Sequence, residues 1–306
     1  MIGQDSRRIR LAVLVIGAIA LFSGCTAPYD KGAAPSGADE ALTYHMKYCN
    51  RDVVEACVEA GVIQRDKGDS QSLTSFQKAC EHNNIAGCSE LAKSYAEGLG
   101  VTADIAKANQ YYQKACELGE ANSCNSLGGA YKNGSGVAVD MLKANEYFQK
   151  ACDLNIGAGC KNLADGLDVT AANMSRVHDL YLKACDLNEG FGCFAIGMIY
   201  QHGEGVITNM TRAREYYQKA CELDNGNGCT SLGLFYQHGS DMGSDVTVDL
   251  SKAHELYQKA CELKDGTGCS ALSFMYEFGL GVTVDLSKAH EYNQKACDLG
   301  YQFACD

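Results

Sequence analysis

The sequence predicts an all-α protein, a solenoid of repeated helix hairpins held together by disulfides. Three observations indicate this fold. Cysteine pairs of a single spacing recur mostly every 36 residues, apolar residues recur at helical spacing beside them, and the 306-residue chain has only two prolines. A fixed period of this length is typical of a solenoid of stacked units rather than of separate globular domains.

The cysteines define the unit of the repeat. Seventeen is an odd number, so one cysteine is expected to have a separate role, and Cys25 is the candidate. Residues eight apart on a straight helix are separated by about 12 Å, whereas a disulfide needs Cα atoms within about 4.4–6.8 Å. The chain must therefore reverse inside each C-x7-C pair, so that a disulfide joins two helices, A and B. The eight predicted disulfides are Cys49/Cys57, Cys80/Cys88, Cys116/Cys124, Cys152/Cys160, Cys185/Cys193, Cys221/Cys229, Cys261/Cys269 and Cys297/Cys305. Zinc is disfavoured, because no C-x2-C pair occurs.

Helical periodicity supports both halves of the hairpin. Ala108, Tyr112 and Ala115 lie on one face of helix A, and Cys124 and Leu127 lie on one face of helix B. Glycines inside the C-x7-C segments are expected to end helix A in the left-handed conformation: Gly157, Gly159, Gly226, Gly228, Gly266 and Gly268. The G-x-G segments after helix B are expected to be helix stops, because a phosphate-binding loop would follow a strand.

Residues 1–24 are predicted to be a lipoprotein signal peptide. Arg7, Arg8 and Arg10 precede a 12-residue apolar stretch that is too short to span a bilayer. The following LFSGC resembles the bacterial lipobox and implies lipidation of Cys25, although Phe22 stands where that motif most often has leucine. The alternatives are an ordinary signal peptide, which would give a secreted protein, or an uncleaved anchor.

The segment after the signal peptide is predicted to be a tether. Residues 25–40 are small and polar, contain Pro28 and Pro35, and show no periodic apolar face, so they are expected to be a lipidated, flexible tether. Thr26 is not aspartate, which by resemblance to sorting signals favours the outer membrane, facing the periplasm or the cell surface. Residues 41–306 are expected to form the solenoid.

The charge excludes some classes of partner. The net charge is −12, which repels phosphate backbones and anionic lipid headgroups. We therefore expect no nucleic-acid partner, and contact with a membrane only through the lipid anchor.

Beyond the spacing of the cysteine pairs, the amino-acid sequence of the repeats resembles that of a known family. KANQYYQKACELGEANSCNSLGGAYKNGSGV and KAHELYQKACELKDGTGCSALSFMYEFGLGV share KAC-x7-C followed by L-x3-Y-x2-G-x-G-V. This pattern over residues 41–306 resembles the Sel1-like repeat family, and its disulfide-bonded branch of helicobacter-type cysteine-rich proteins. The resemblance implies a right-handed, TPR-like α/α superhelix whose concave face binds protein partners. It also implies an alternative, since members of that branch are reported as penicillin-binding proteins with weak β-lactamase activity.

The chain departs from the family pattern at three places. Repeat one, Tyr44 to Gly61, is degenerate. Repeat four lacks the G-x-G-V segment. The sequence ends one residue after Cys305, so repeat eight is expected to lack helix B.

Catalytic and metal chemistry find little support in the motifs. Ser75 and Lys78 form the one S-x-x-K match of the repeats, but Ser75 aligns with Tyr111 in the hairpin core, so no catalytic residue is assigned. His254 and His290 are 36 residues apart, yet other residue types fill their position in other repeats. We therefore expect no metal and no cofactor.

The residues that change between repeats are the candidates for binding. Fixed positions such as Lys-Ala-Cys are expected to serve the stack, whereas one changing position on helix A, the variable slot, is expected to be exposed. The variable slot consists of Asn109, Asn145, His178, Arg214, His254 and His290, and acidic residues follow it in most repeats. A solvated face that drifts neutrally is the alternative. Repeat six also carries an enlargement at 239–245. The sequence thus predicts a scaffold of the bacterial envelope that binds a protein or a peptide, including a cell-wall peptide.

Overall fold

The computed structural model describes residues 28–167, 170, 172–239 and 247–305. Fifteen α-helices, with 3-10 turns at Lys31–Ala33 and Gln302–Ala304, form the regular structure of these residues, which confirms the predicted all-α repeat fold. None of the helices within these ranges is long and apolar enough to cross a membrane. The helices are α1 (Ala38–Cys49), α2 (Val54–Asp66), α3 (Gln71–Glu81), α4 (Ile85–Glu97), α5 (Ile105–Glu117), α6 (Ala121–Asn133), α7 (Met141–Asp153), α8 (Gly157–Asp165), α9 (Met174–Asp186), α10 (Gly190–His202), α11 (Met210–Glu222), α12 (Gly226–His238), α13 (Leu250–Glu262), α14 (Gly266–Phe278) and α15 (Leu286–Asp298).

The chain divides into two compact units. The first contains the residues up to Gly87 together with Leu99–Val101, and the second contains Cys88–Gly98 and the residues from Thr102 onward. In the first unit, α1 packs on α2 and α2 on α3. In the second unit, each helix from α5 to α15 packs on the next, and the B helices α8, α10, α12 and α14 also contact one another in order.

The predicted cysteine pairs form disulfides that staple the hairpins. In seven of these disulfides, the Cα–Cα distances are 4.5–4.9 Å. These seven are Cys49–Cys57, Cys116–Cys124, Cys152–Cys160, Cys185–Cys193, Cys221–Cys229, Cys261–Cys269 and Cys297–Cys305. Cys80 and Cys88 are also disulfide-bonded. In repeat eight, the 3-10 turn Gln302–Ala304 brings Cys305 back to α15.

The turn between the helices corrects the expected role of its glycines. The left-handed residues are not Gly157, Gly226 and Gly266, which instead begin the B helices. A Cβ at Gly159 would lie 2.6 Å from the Cβ of Ala151, so this glycine allows helix B to approach helix A closely. The left-handed positions of these turns are Asn155 (φ 63°), Asn188 (φ 61°), Asp224 (φ 57°) and Lys264 (φ 65°). Short polar side chains such as asparagine tolerate this conformation, which the glycine-based expectation overlooked.

The other end of the hairpin behaves as expected from its G-x-G segment. Gly134 caps the C-terminal end of α6 and Gly203 that of α10, both with φ 73°. The chain then returns to Asp140, whose side chain accepts a hydrogen bond from the Lys143 amide at 3.0 Å and begins α7. The G-x-G segment is therefore a connector between repeats.

The folded part of the chain begins at an earlier residue than predicted. The ring of Tyr29 lies 5.3 Å from that of Tyr48, and its hydroxyl lies 3.1 Å from Nδ1 of His45, which is buried. Part of the segment predicted as a tether, 25–40, therefore packs on α1 through Tyr29. A single aromatic residue gives no periodic signal, so the pattern could not show this contact. Residues 1–27, with Cys25, and residues 240–246, which include most of the repeat-six enlargement, lie outside the described residues.

Candidate partner-binding surface

The fixed residues of the repeat are used in packing, as predicted. In the Lys-Ala-Cys motif, Nζ of Lys259 donates to the carbonyl of Cys221 at 2.8 Å and lies 2.9 Å from Asp224, both in the preceding hairpin. Lys78 makes the same pair of contacts with Cys49 and Asp52. This lysine thus links successive hairpins and caps the carbonyl end of helix A.

The variable slot is not exposed as expected. Asn109 is 7% exposed and donates a hydrogen bond to the Ser135 carbonyl at 2.8 Å. His254 lies 3.1 Å from the hydroxyl of Tyr276, and burial lowers its pKa. Asn145, His178 and Arg214 are half-buried, and only His290 of the six is exposed.

The cause is the position of the slot within the hairpin. It follows a residue that is buried in the hairpin core, an alanine in most repeats and Val177 in repeat five. In repeats five and seven it faces a tyrosine near the end of the same repeat's helix B. Variation between repeats was interpreted as exposure, but here it reflects several ways of filling a half-buried gap. The acidic residues beside the slot are exposed: Glu146, Asp179, Glu215, Glu255 and Glu291.

Ser75 occupies a structural position. It is 5% exposed, and its hydroxyl donates to Oε1 of Gln64 at 2.7 Å. Its S-x-x-K partner, Lys78, is committed to Cys49 and Asp52. A neutral amide cannot take the proton of a nucleophilic serine, so this arrangement does not activate Ser75. Within the described ranges, no three His, Cys, Asp or Glu side chains come together as a metal site requires.

Repeat five contains an apolar cavity that the sequence analysis did not identify. Its volume is about 190 Å³, and it lies between α9 and α10. The walls are Met174, Val177, Tyr181, Phe191, Phe194, Ala195, Met198 and Ile199, with Glu204 from the loop that follows α10. The signal was present in the repeat alignment: Phe191, Phe194 and Met198 correspond to Asn122, Asn125 and Gly129 of repeat three.

The Cβ of Ala164, which stands where four other hairpins have glycine, helps to explain this cavity. In four hairpins, a glycine on helix B leaves space for an aromatic ring of the next helix A, and that ring is fully buried. A Cβ at Gly128 would lie 2.4 Å from Cδ1 of Phe148, which is 1% exposed. The other three pairs are Gly61 with Phe76, Gly197 with Tyr217, and Gly233 with Tyr257. Repeat four has Ala164 at this position, and the corresponding ring, Tyr181, is only half-buried and donates to Asp165 at 2.7 Å. Tyr181 therefore forms a wall of the cavity instead of filling the core.

An exposed apolar row continues from this cavity. Met198, Leu234 and Phe274 occupy the same position in the B helices of repeats five, six and seven, and they are 39%, 37% and 49% exposed. The corresponding residues of repeats two, three and four are Lys93, Gly129 and Asp165. Among repeats two to seven, the apolar character is thus confined to three consecutive repeats.

These features define the chain as a disulfide-linked, α-helical repeat protein. The Sel1 repeat family matches residues 85–120, 121–156, 190–225, 227–265 and 267–301, more than half of the chain, which therefore belongs to the Sel1 repeat family. Disulfides in this number form and persist outside the reducing cytoplasm, so the protein is extracytoplasmic.

Two solved structures support the fold, and a third is similar in sequence. A Sel1 repeat protein from Oxalobacter formigenes is 24% identical, with a TM-score of 0.69, and the match covers 78% of this chain and 96% of that one. The protein c5321, a protective antigen of uropathogenic Escherichia coli strains, is 22% identical, with a TM-score of 0.63; the match covers 84% of this chain and 64% of the antigen, less than two thirds of its length. Helicobacter pylori cysteine rich protein B is 38% identical, with a TM-score of 0.36 over 44% of this chain and 95% of that one. A search of curated proteins gave no match.

Proposed function

We propose that this protein is a scaffold of the bacterial cell envelope that binds a protein or peptide partner, and that lipid on Cys25 anchors it at the outer membrane. The observation that supports the binding function is that two sets of residues in the repeat have different roles. Residues that recur between repeats, such as Lys259 and Gly128, are used in packing, whereas the exposed apolar side chains of helix B occur in only some of the repeats. Sel1 repeats form a scaffold for protein interaction, and the stapled hairpins present such side chains rigidly, which lowers the entropic cost of binding.

The binding surface that we propose differs from the variable slot itself. Asn109 and His254 are hydrogen-bonded within their hairpins, so their effect on a partner is indirect: they position the exposed residues beside them. The acidic residues Glu215 and Glu255 on helix A, and the apolar row on helix B, are accessible. A partner that contacts both sets of residues is favoured when it carries both basic and apolar side chains.

Photo-crosslinking in the native envelope tests this function. A benzophenone amino acid replaces Glu255 or Phe274, and a matched control replaces Glu262, which is exposed beside Cys261 at the disulfide end. We expect one discrete protein or cell-wall adduct, identified by mass spectrometry, from Glu255 or Phe274, and none from Glu262.

A chromogenic β-lactam assay on the mature protein distinguishes the enzymatic alternative. A scaffold should show no turnover that depends on Ser75, because its hydroxyl is bonded to Gln64. Hydrolysis that Ser75→Ala abolishes, or equal adducts at Glu255 and Glu262, contradicts the scaffold function.

A further inference from the structure

The repeat-five cavity has the size of one side chain. At about 190 Å³ it exceeds the roughly 150 Å³ that suffices for benzene in an engineered apolar cavity. It is smaller than the roughly 300 Å³ at which pockets for whole small molecules begin. It therefore fits one aromatic or branched aliphatic side chain better than a cofactor or a complete metabolite.

The helix before the cavity is shorter than its counterparts. Helix α8 has 9 residues, whereas α6 and α10 have 13. In repeat three, the last turn of helix B stacks Tyr131 on Tyr147 of the next helix A, with ring centroids 5.6 Å apart. In repeat four the residue aligned with Tyr131 is Leu167, so α9 has no such tyrosine stack. Met174 and Tyr181 of α9 line the cavity.

The charge at the rim is negative. Glu204 is the only charged side chain among the described residues that line the cavity, and it is exposed. Lys161 is the nearby cation, but it lies over the ring of Phe191 at 4.9 Å and is paired with Asp165 at 2.9 Å. Glu204 therefore favours a positively charged group that a partner brings.

The exposed row sets the spacing of the rest of the partner. The B helices α10, α12 and α14 pack in order, and packed helices lie about 8–10 Å apart. A polyproline II segment advances about 9 Å in three residues. Apolar side chains at every third residue would therefore fall in turn on the cavity, on Leu234 and on Phe274.

We propose that the cavity of repeat five binds an apolar side chain of an extended peptide, that a lysine or arginine beside this side chain pairs with Glu204, and that the peptide continues along Leu234 and Phe274. This inference rests on the scaffold function and specifies its ligand class. The occupant is a basic, apolar protein segment. A lipid or an acidic peptide lacks the charge that Glu204 selects.

Defined peptides test the proposal on the full mature protein. The probe is acetyl-Phe-Lys-Ser-Leu-Ser-Ser-Leu-amide, and the matched controls carry alanine or glutamate in place of lysine. Methyl carbon NMR of the methionines reports on the cavity, because Met174 and Met198 both line it. We expect the lysine probe to shift both methyl signals and to bind at least threefold more tightly than the alanine peptide at low salt, since an exposed pair contributes a modest factor.

Two variants of Glu204 separate charge from folding. Glu204→Gln keeps the shape, and Glu204→Leu introduces the residue that Leu99 and Leu280 already provide at this position, so both are expected to fold. Both should abolish the preference for lysine over alanine while the methionine methyl shifts persist. A lysine preference that survives in both variants, or methyl signals that stay unmoved at saturating peptide, overturns the proposal.

The cavity assignment and the scaffold function can be contradicted independently of each other. If envelope crosslinking finds a partner but the peptide leaves Met174 and Met198 unshifted, the cavity assignment is wrong and the scaffold function stands. If the peptide binds as expected but crosslinking finds no partner at any exposed position, the cavity assignment is supported and the scaffold function is contradicted.

Discussion

Two adjacent glycines of α6 offer a sharp test of how the repeats pack. A Cβ at Gly128 would lie 2.4 Å from Cδ1 of Phe148, whereas a Cβ at Gly129 would have nothing within 4 Å. Both residues are in the middle of the same 13-residue helix. Gly128→Ala and Gly129→Ala therefore gain the same helix propensity, about 0.5–1 kcal/mol, and differ only in packing.

The structure gives the size of that difference. Phe148 is 1% exposed, so it either stays and strains the core, at about 1–3 kcal/mol, or moves outward as Tyr181 does beside Ala164. The second route removes part of the roughly 1.5–3 kcal/mol of phenylalanine burial, and phenylalanine has no hydroxyl to bond as Tyr181 bonds Asp165. We expect Gly128→Ala to lose about 1–2 kcal/mol of stability and Gly129→Ala to gain about 0.5–1 kcal/mol.

Guanidinium-induced unfolding of the oxidised proteins, followed by circular dichroism, measures this difference. Because repeat proteins can depart from two-state unfolding, the quantity to compare is the shift of the midpoint between the two variants under identical conditions. A Gly128→Ala protein as stable as the Gly129→Ala protein would refute the reasoning, since it would show that the ring of Phe148 does not need the missing methyl group.

Three further predictions follow from the staples, the N-terminal contact and the leader. Replacing both Cys152 and Cys160 by serine should lower the free energy of unfolding by about 2.6 kcal/mol, by the chain-entropy relation for a nine-residue loop. Non-reducing peptide mapping of the unsubstituted protein should find disulfides only between neighbouring cysteines. An abundant disulfide between distant cysteines would contradict the hairpins. Burial lowers the pKa of His45 below its ordinary value of 6.5, so the unfolded chain binds the proton more readily. The associated stability is complete above the ordinary pKa and declines as the pH falls through it. Unfolding of the first unit should therefore become easier between pH 7.5 and 5.5, and His45→Gln should flatten this dependence; equal slopes in both proteins would show that another group is responsible. Cys25→Ala should leave the precursor unprocessed and unlabelled by fatty acid, and normal maturation of this variant would exclude a lipoprotein.

The repeat architecture could be predicted from the sequence because its causes are local. The distance between Cys152 and Cys160 on a straight helix excludes a disulfide, so the spacing alone requires a hairpin. Fixed residues such as Lys259 were correctly assigned to the stack, although the sequence did not show that they reach the preceding turn.

The candidate site could be predicted only in part, because it depends on contacts between elements. Exposure of Asn109 and His254 depends on how helix B ends over helix A, and a comparison of repeats cannot distinguish a solvated position from a gap filled in several ways. The cavity depends in part on Ala164 in one repeat and Tyr181 in the next, which lie 17 residues apart and which helical periodicity does not connect. Tyr29 was missed for a similar reason, since one ring outside any pattern holds the N-terminal segment on α1.

Each disulfide joins cysteines that are close in sequence, and this closeness also affects how the disulfides form. Each described disulfide has a sequence separation of 8, so every cysteine of these pairs has its native partner as a direct neighbour along the chain of cysteines. When the chain crosses a membrane from its N-terminus and Cys25 is blocked by lipid, an oxidant that joins the remaining cysteines in order of emergence would produce the native set without reshuffling. We therefore expect maturation to require a thiol oxidase and to be insensitive to the loss of disulfide isomerase. A whole repeat could then be gained or lost by gene duplication or deletion without leaving a cysteine unpaired.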